Sequence, residues 1–201
     1  MLYHSLRALW ALRKDGFLQE EGWFRSFRER QAVDRRGEPI PWMNYSAIEF
    51  FRERLKPEFR LFEFGSGNST LFFASRCAEV VSFESSPEWH WRMTSRIPAN
   101  VRLEFREGEE FYRCDSWNGG FDLVIVDGMD RNRLAEPAMK LCRGEKGVVV
   151  LDDSERSEFR PLVELFLKSG WKRLRFTGIG PIQNNRKETS FFYRPGNCLE
   201  I

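Results

Sequence analysis

The sequence predicts an α/β fold in which a parallel sheet carries helices on both faces. Three observations point to it. From residue 59 onward, short apolar runs of strand length alternate with stretches of helical periodicity. The runs at 121–126 and 148–151 are apolar almost without a break, as strands buried on both faces are. The first run enters Leu61-Phe62-Glu63-Phe64-Gly65-Ser66-Gly67-Asn68-Ser69-Thr70, where two glycines turn the chain between a strand and a helix. That is the grammar of a turn that binds a phosphate or nucleoside.

Composition bounds the answer. At 201 residues the chain suits one domain with an appendage. Its content is 41% hydrophobic and 31% charged, which is globular rather than disordered. A net charge of +2 gives no electrostatic case for nucleic acid, and no such partner is expected. Cys77, Cys114, Cys142 and Cys198 show no metal-ligand spacing, and a reduced, cytoplasmic setting is expected. Cys77 and Cys142 fall in apolar helical patterns and read as buried thiols. The two histidines, His4 and His90, both lie away from strand ends, so neither a histidine metal centre nor Ser-His-Asp chemistry is expected.

Residues 1–15 read as an amphipathic helix, with Leu2, Leu6 and Leu9 on one face and Trp10 and Leu12 widening it. Its apolar run is too short to span a membrane, and Arg7, Arg13 and Lys14 interrupt any signal-peptide core. It is expected to pack on the domain or a partner, and an exposed apolar arm would favour a homodimer. A helix lying on a membrane surface is the alternative. After Gly16 a second short helix carries Trp23, Phe24 and Phe27, and 34–39 is a polar turn. Two prolines then hold Pro39-Ile40-Pro41-Trp42-Met43-Asn44-Tyr45 extended before a helix over 46–55 that ends at Pro57. Either Trp42 anchors the arm on the core, or Asn44 and Tyr45 border a ligand's entrance.

The sheet region follows. Strands are expected at 60–64, 79–83, 101–105, 121–126, 148–151, 171–176 and 190–194, and helices at 69–77, from Pro87, at 133–142 and at 159–169. The loop 178–188, with two glycines, Pro181 and two asparagines, is long enough to serve a substrate.

Ligands in such sheets bind beyond the carboxyl ends of the strands. Acids stand at four of these ends: Glu63, Glu84, Asp127, and Asp152 with Asp153. Glu84 lies seventeen residues after Gly67 (84 − 67), close to the ~20 expected of an acid that accepts from ribose hydroxyls. A nicotinamide dehydrogenase would want a third glycine where Leu71 stands.

With the acid before the glycine turn and the acids at the strand ends, residues 39–195 resemble a class I S-adenosylmethionine (SAM)-dependent methyltransferase. The position that is often a third glycine in that motif is Ser69 here. The resemblance implies a Rossmann-like, doubly wound sheet of seven strands in the order 3-2-1-4-5-7-6, with the last strand antiparallel. It divides the chain into an N-terminal helical arm, 1–38, and a methyltransferase-like domain, 39–201. It also implies SAM as cofactor. Gly65 and Gly67 would pass under the methionine part, Glu63 would face its amino-acid end, and Glu84 would bind the ribose. Glu107 and Gly108 would border the adenine, with Ser85 beside it. Ser66, Asn68, Ser69 and Tyr45 are further candidates for cofactor contact, and Asp127 matches the acid after strand four.

Pro39-Ile40-Pro41-Trp42, the glycine turn, Val126-Asp127-Gly128 and Leu151-Asp152-Asp153-Ser154-Glu155-Arg156 also resemble an uncharacterised group of methyltransferase-like proteins. A partial resemblance to metal-dependent catechol and caffeoyl-CoA O-methyltransferases lies in Asp127 with Asp152-Asp153, where Asp153 replaces an amide. Carboxylates ~4 Å apart repel by about 4 kcal/mol at an effective dielectric of ~20. The cluster therefore has to bind a cation such as Mg²⁺ or Ca²⁺, take up a proton, or pair with Arg131, Arg133 or Arg156. The expected activity is methyl transfer from SAM to a small or medium acceptor, first of all a hydroxyl, with Asp127 as base or a metal lowering the hydroxyl's pKa. N-methylation, or a non-catalytic SAM-binding module, is the alternative.

Overall fold

The computed structural model describes residues 2–201, apart from the side chains of residues 2–6 and 9. Seven strands form one sheet: β1 (Arg60–Phe64), β2 (Glu79–Glu84), β3 (Val101–Phe105), β4 (Leu123–Val126), β5 (Val148–Leu151), β6 (Lys172–Gly178) and β7 (Lys187–Tyr193). Their order is β3-β2-β1-β4-β5-β7-β6, with β1 to β5 parallel and β7 antiparallel to both neighbours. This is the order, and the antiparallel strand, that the resemblance implies. The strand order reverses at β1, which lies between β2 and β4, and a crevice opens there for a ligand.

Period-two alternation explains the unbroken apolar runs. Leu61, Leu123, Val148 and Val150 face a layer built on Ile48, Phe51, Phe72 and Phe73, while Phe62, Phe64, Val124 and Val149 face Leu141, Leu162 and Phe166. Fully burying each such side chain contributes about 1.5–3 kcal/mol. The first layer rests on α4 (Tyr45–Arg54) and α5 (Asn68–Ala74), the second on α7 (Ala135–Leu141) and α8 (Arg160–Lys168). All four cysteines are free, and Cys77 and Cys142 are buried as expected.

Several boundaries move. Strand four begins at Leu123, because Phe121 makes only an isolated bridge to Cys142 and the buried Asp122 carboxylate accepts the Arg60 N–H at 2.9 Å. The helix expected at 133–142 starts with a tight 3₁₀ turn at Arg131–Leu134. The last strand starts at Lys187, three residues before the expected 190, because β6 pairs with it in register from Gly178–Lys187 to Lys172–Tyr193. The expected loop 178–188 shrinks to 179–186.

The arm holds α1 (Leu2–Lys14), α2 (Phe17–Glu20) and α3 (Trp23–Glu29). Two helices stand where one was expected after Gly16, because Gly22 takes a left-handed conformation between them. The second half of the arm joins the domain's core. Ala32 is buried with Ile40 and Met43, and the Trp23 indole N–H donates to Gln183 O at 2.7 Å. Trp10 and Leu12 are exposed, whereas the expected packing of Leu2, Leu6 and Leu9 lies outside the described side chains. Among the described residues, no helix is long and apolar enough to cross a membrane.

Candidate functional site

The glycine turn leaves β1 at the switch point. Gly65 takes φ +100°, and a Cβ there would crowd Asp127 O at 3.2 Å, so both conformation and close approach call for glycine. Gly67 has extended backbone. The turn is held by its own polar groups. The Gly67 N–H donates to Thr70 Oγ1 at 2.9 Å, and that hydroxyl donates to Glu63 Oε2 at 2.5 Å. Glu84 Oε2 accepts from the Ser66 N–H at 3.0 Å and the Ser66 hydroxyl at 2.7 Å, while Oε1 accepts from the Ser86 N–H at 2.8 Å. A carboxylate offers about four acceptor positions, so one is left for a ligand hydroxyl.

A cleft of about 720 Å³ opens over these strand ends. Of the predicted cofactor residues, Gly65, Ser66, Ser69, Glu84, Ser85 and Asp127 line it. Gly67 and Asn68 line a neighbouring cleft that shares Ser66, Ser69 and Asp127 with the first. The others lie outside both. Tyr45 is buried under the arm, its ring edge-on to Phe17. Glu107 and Gly108 stand exposed at the start of a 3₁₀ turn. Asn44 is buried, caps α4 through Ala47, and donates to Phe176 O and Thr189 Oγ1. Neither reading of the proline segment is met: Trp42 is half-exposed at the neighbouring cleft rather than buried as an anchor, and Asn44 and Tyr45 are buried and line neither cleft.

Glu63 lies beneath the turn, 1% exposed, and its Oε1 has no partner among the described residues. Burial pushes its pKa up to about 8, against the hydrogen bonds from Ser69 and Thr70. An orphaned carboxylate oxygen under a glycine turn fits the amino-acid end of SAM, which carries an ammonium group. A raised carboxyl pKa means the folded state holds the proton more tightly than the unfolded chain. Its contribution to stability is complete below the unfolded value near 4.5 and is lost as pH rises through about 8. Ligand-free stability is therefore expected to fall by up to about 1.4 kcal/mol per pH unit in that window. Glu63→Gln should flatten the decline, as denaturant titrations between pH 5 and 9 would record.

The three aspartates do converge, with one oxygen of each within 4.8 Å of the others. Their charge is met by side chains. Lys187 Nζ lies 2.8 Å from Asp152 Oδ2 and 2.9 Å from Asp153 Oδ1, and also donates to Trp42 O at 2.6 Å. Arg131 Nη2 donates to Asp127 Oδ1 at 2.8 Å and lies 3.4 Å from Asp153 Oδ2, which Arg156 reaches at 2.8 Å. Asp152 Oδ1 accepts from the Thr189 hydroxyl at 2.7 Å. Arg133 is elsewhere, paired with Glu109 at the surface. Three cations thus face three carboxylates, and the Lys187 ammonium lies between Asp152 and Asp153. Of the three outcomes that the sequence leaves open for the cluster, the structure shows pairing with Arg131 and Arg156, joined by Lys187, and a donor set so neutralised does not suit Mg²⁺ or Ca²⁺.

Lys187 is the residue that sequence reasoning missed. The sequence places it in the loop 178–188, yet the antiparallel register of Leu151 with Ser190 sets the residues after β5 across from the start of β7. Burial opposes its charge, but Asp152 and Asp153 outweigh burial and raise its pKa. Burial likewise works against ionised Asp153, and Lys187, Arg131 and Arg156 outweigh it, holding that carboxyl below the usual range. Asp127 differs. Burial pushes its pKa up to about 7, more than Arg131 pulls it down, with Asp152 adding to the rise. It still presents an edge to the clefts, its side chain 26% exposed.

No family model matches the chain, and none of the curated proteins matches it. Solved structures do. A precorrin-6y C5,15-methyltransferase from Geobacter metallireducens superposes with a TM-score of 0.60 at 13% identity, covering 84% of this chain and 96% of that one. A Staphylococcus aureus protein assigned as a caffeoyl-CoA O-methyltransferase gives 0.59 at 13% identity, over 96% of this chain and all of its own. The N-methyltransferase NodS from Bradyrhizobium japonicum gives 0.54 at 14% identity, over 73% and 93%. At these identities the likeness is one of fold. The chain has the class I methyltransferase fold, and its neighbours are named for transfer to carbon, oxygen and nitrogen alike.

Proposed function

We propose that this chain, built on the class I methyltransferase fold, is an enzyme that transfers the methyl group of SAM to a small or medium acceptor, by preference a hydroxyl. One observation carries the reading. The glycine turn, Glu84 and Asp127, from three adjacent strand ends, converge on a single cleft at the switch point of the sheet. When bound, SAM supplies an electrophilic methyl group on its sulfonium. The rest is the work of the chain. Gly65 lets backbone approach a ligand, Glu84 keeps one acceptor position for a ribose hydroxyl, and Glu63 Oε1 waits for a donor beneath the turn.

Methyl transfer is an in-line displacement, so positioning supplies most of the acceleration. A hydroxyl acceptor must also lose a proton. With a pKa near 7, Asp127 is poised to take it at neutral pH, and the Arg131 guanidinium fixes the orientation of its carboxylate. The base acts when ionised, so turnover should rise with pH through about 7 and level off above it. Asp127→Asn should lower kcat by about 10²–10⁴-fold and abolish that rise. An N-methyltransferase acting on a neutral amine would show neither effect of Asp127.

Because Lys187, Arg131 and Arg156 already neutralise the aspartates, turnover is expected to survive EDTA and to gain nothing from added Mg²⁺. Loss of turnover under the chelator, with recovery on Mg²⁺, would restore the metal reading. The deciding assay is calorimetry with SAM and S-adenosylhomocysteine, followed by release of S-adenosylhomocysteine over a panel of hydroxyl and amine acceptors. Binding without any turnover would leave a SAM-binding module.

A further inference from the structure

Next to the first cleft lies a second, of about 740 Å³, bounded by residues 29–32 of the arm, Trp42, Ile182 and the face of α6 (Pro87–Thr94). The two share Ser66, Ser69, Trp89 and Asp127. We propose that this second cleft is the acceptor site and that it takes a planar aromatic ring bearing an acidic group, a carboxylate or a phosphate. The inference rests on reading the first cleft as the cofactor's.

Size is the first argument. Either cleft alone falls within the ~300–1,000 Å³ that holds one small molecule, so the pair has room for two ligands that meet at Asp127.

Aromatic surface is the second. Trp42, Trp89 and Trp91 line the second cleft and stay 46%, 40% and 77% exposed. Indole surface left open to a concave site favours a flat, polarisable ligand. The Trp89 ring is held by the backbone, and the main chain that carries Trp42 is anchored by a buried side chain. The Trp89 indole N–H donates to Ser66 O in the glycine turn, and Trp42 O accepts from the buried Lys187 ammonium at 2.6 Å.

Charge is the third. The acids lining this cleft are neutralised from outside it: Glu29 turns to Arg25 at 2.9 Å and Arg28 at 3.2 Å, and Asp127 to Arg131. Among its arginines, Arg92 pairs with Glu88 at 2.7 Å. Arg30 and Arg96 also line the cleft and have no carboxylate partner among the described residues; Arg96 donates to the amide oxygen of Asn68 at 3.0 Å. Two guanidiniums left to a site walled by indoles select a ring with a negative substituent, because the fork binds oxyanions in the plane of the group it holds. The acidic group at the arginine end leaves the rest of the ring to the tryptophans and Asp127.

The test uses three phenols of different charge, 4-hydroxybenzoate, phenol and tyramine, with phenyl phosphate to tell carboxylate from phosphate preference. They are titrated by calorimetry and tryptophan fluorescence into the full chain saturated with S-adenosylhomocysteine. One of the two anionic rings is expected to quench fluorescence and to bind at least about tenfold more tightly than phenol or tyramine. Arg96→Gln, Arg30→Gln and Trp42→Ala should each weaken that binding severalfold, with S-adenosylhomocysteine affinity and melting temperature unchanged as the check on folding. The proposal is overturned if the anions bind no better than phenol, if they displace S-adenosylhomocysteine, or if the variants leave their affinity intact. Failure of S-adenosylhomocysteine itself to bind would instead sink the cofactor reading. The same titrations on the free protein then decide the second cleft alone: charge selectivity kept supports it, and selectivity lost overturns it.

Discussion

Replacing Lys187 with methionine is expected to destabilise the fold by about 3–5 kcal/mol, the usual result of stripping one partner from a buried ion pair. The ammonium is 6% exposed as a side chain and is shared by Asp152 and Asp153, 1% and 9% exposed. Without it, two adjacent carboxylates share a site in which only Arg131 and Arg156 remain. The Asp153 pKa, no longer held down by Lys187, should then rise, so the variant's folded state keeps a proton that the unfolded chain has already released. Its deficit should accordingly be larger at pH 8 than at pH 5. Urea titrations at both values would show it. Adding Asp152→Asn to the variant should recover part of the loss, since the charge left unpaired is then removed. A single variant as stable as the parent at pH 8 would mean that the aspartates do not depend on Lys187, and the metal site would be open again.

Glu84→Ala should weaken binding of SAM and S-adenosylhomocysteine by about 1–3 kcal/mol, roughly 5- to 150-fold. Part of the effect is direct, through the acceptor position that Glu84 keeps for the ribose. Part is indirect, because the same carboxylate accepts from the Ser66 N–H, the Ser66 hydroxyl and the Ser86 N–H, and so holds the glycine turn to the end of β2. Glu84→Gln tests both roles at constant size, since its amide N–H₂ cannot accept from those backbone donors. Calorimetry with wild type and both variants separates the outcomes. Equal affinity in all three removes Glu84 from the cofactor site, and tighter binding of NADH than of SAM would overturn the methyltransferase reading.

Local pattern was enough for much of the molecule. The unbroken runs at β4 and β5 mark strands that are covered on both faces, and the structure puts Val124 and Val149 on one layer and Leu123 and Val148 on the other. The turn Glu63–Thr70 and the acids that close β1, β2, β4 and β5 were legible because the grammar of a parallel sheet places them at one edge. Composition and periodicity carry no information of that kind about Tyr45. Its place in a proline-led segment at the entrance to a helix suggested a ligand contact, and the fold instead buries it under Phe17 of the arm.

The sequence by itself determined the alternation of strand and helix, the glycine turn, and the acids at the strand ends, because each depends on residues close together along the chain. Tertiary structure decided what neutralises those acids. Lys187 follows Asp153 by 34 residues (187 − 153), and only the antiparallel pairing of β7 with β5 brings its ammonium between Asp152 and Asp153. It also decided the second cleft, whose walls come from the arm, Trp42, α6 and Ile182. Those residues share no spacing in the chain. They meet because burying the two faces of the sheet folds the segments that carry them to the same end of it, and the side chains left over at that end make the site.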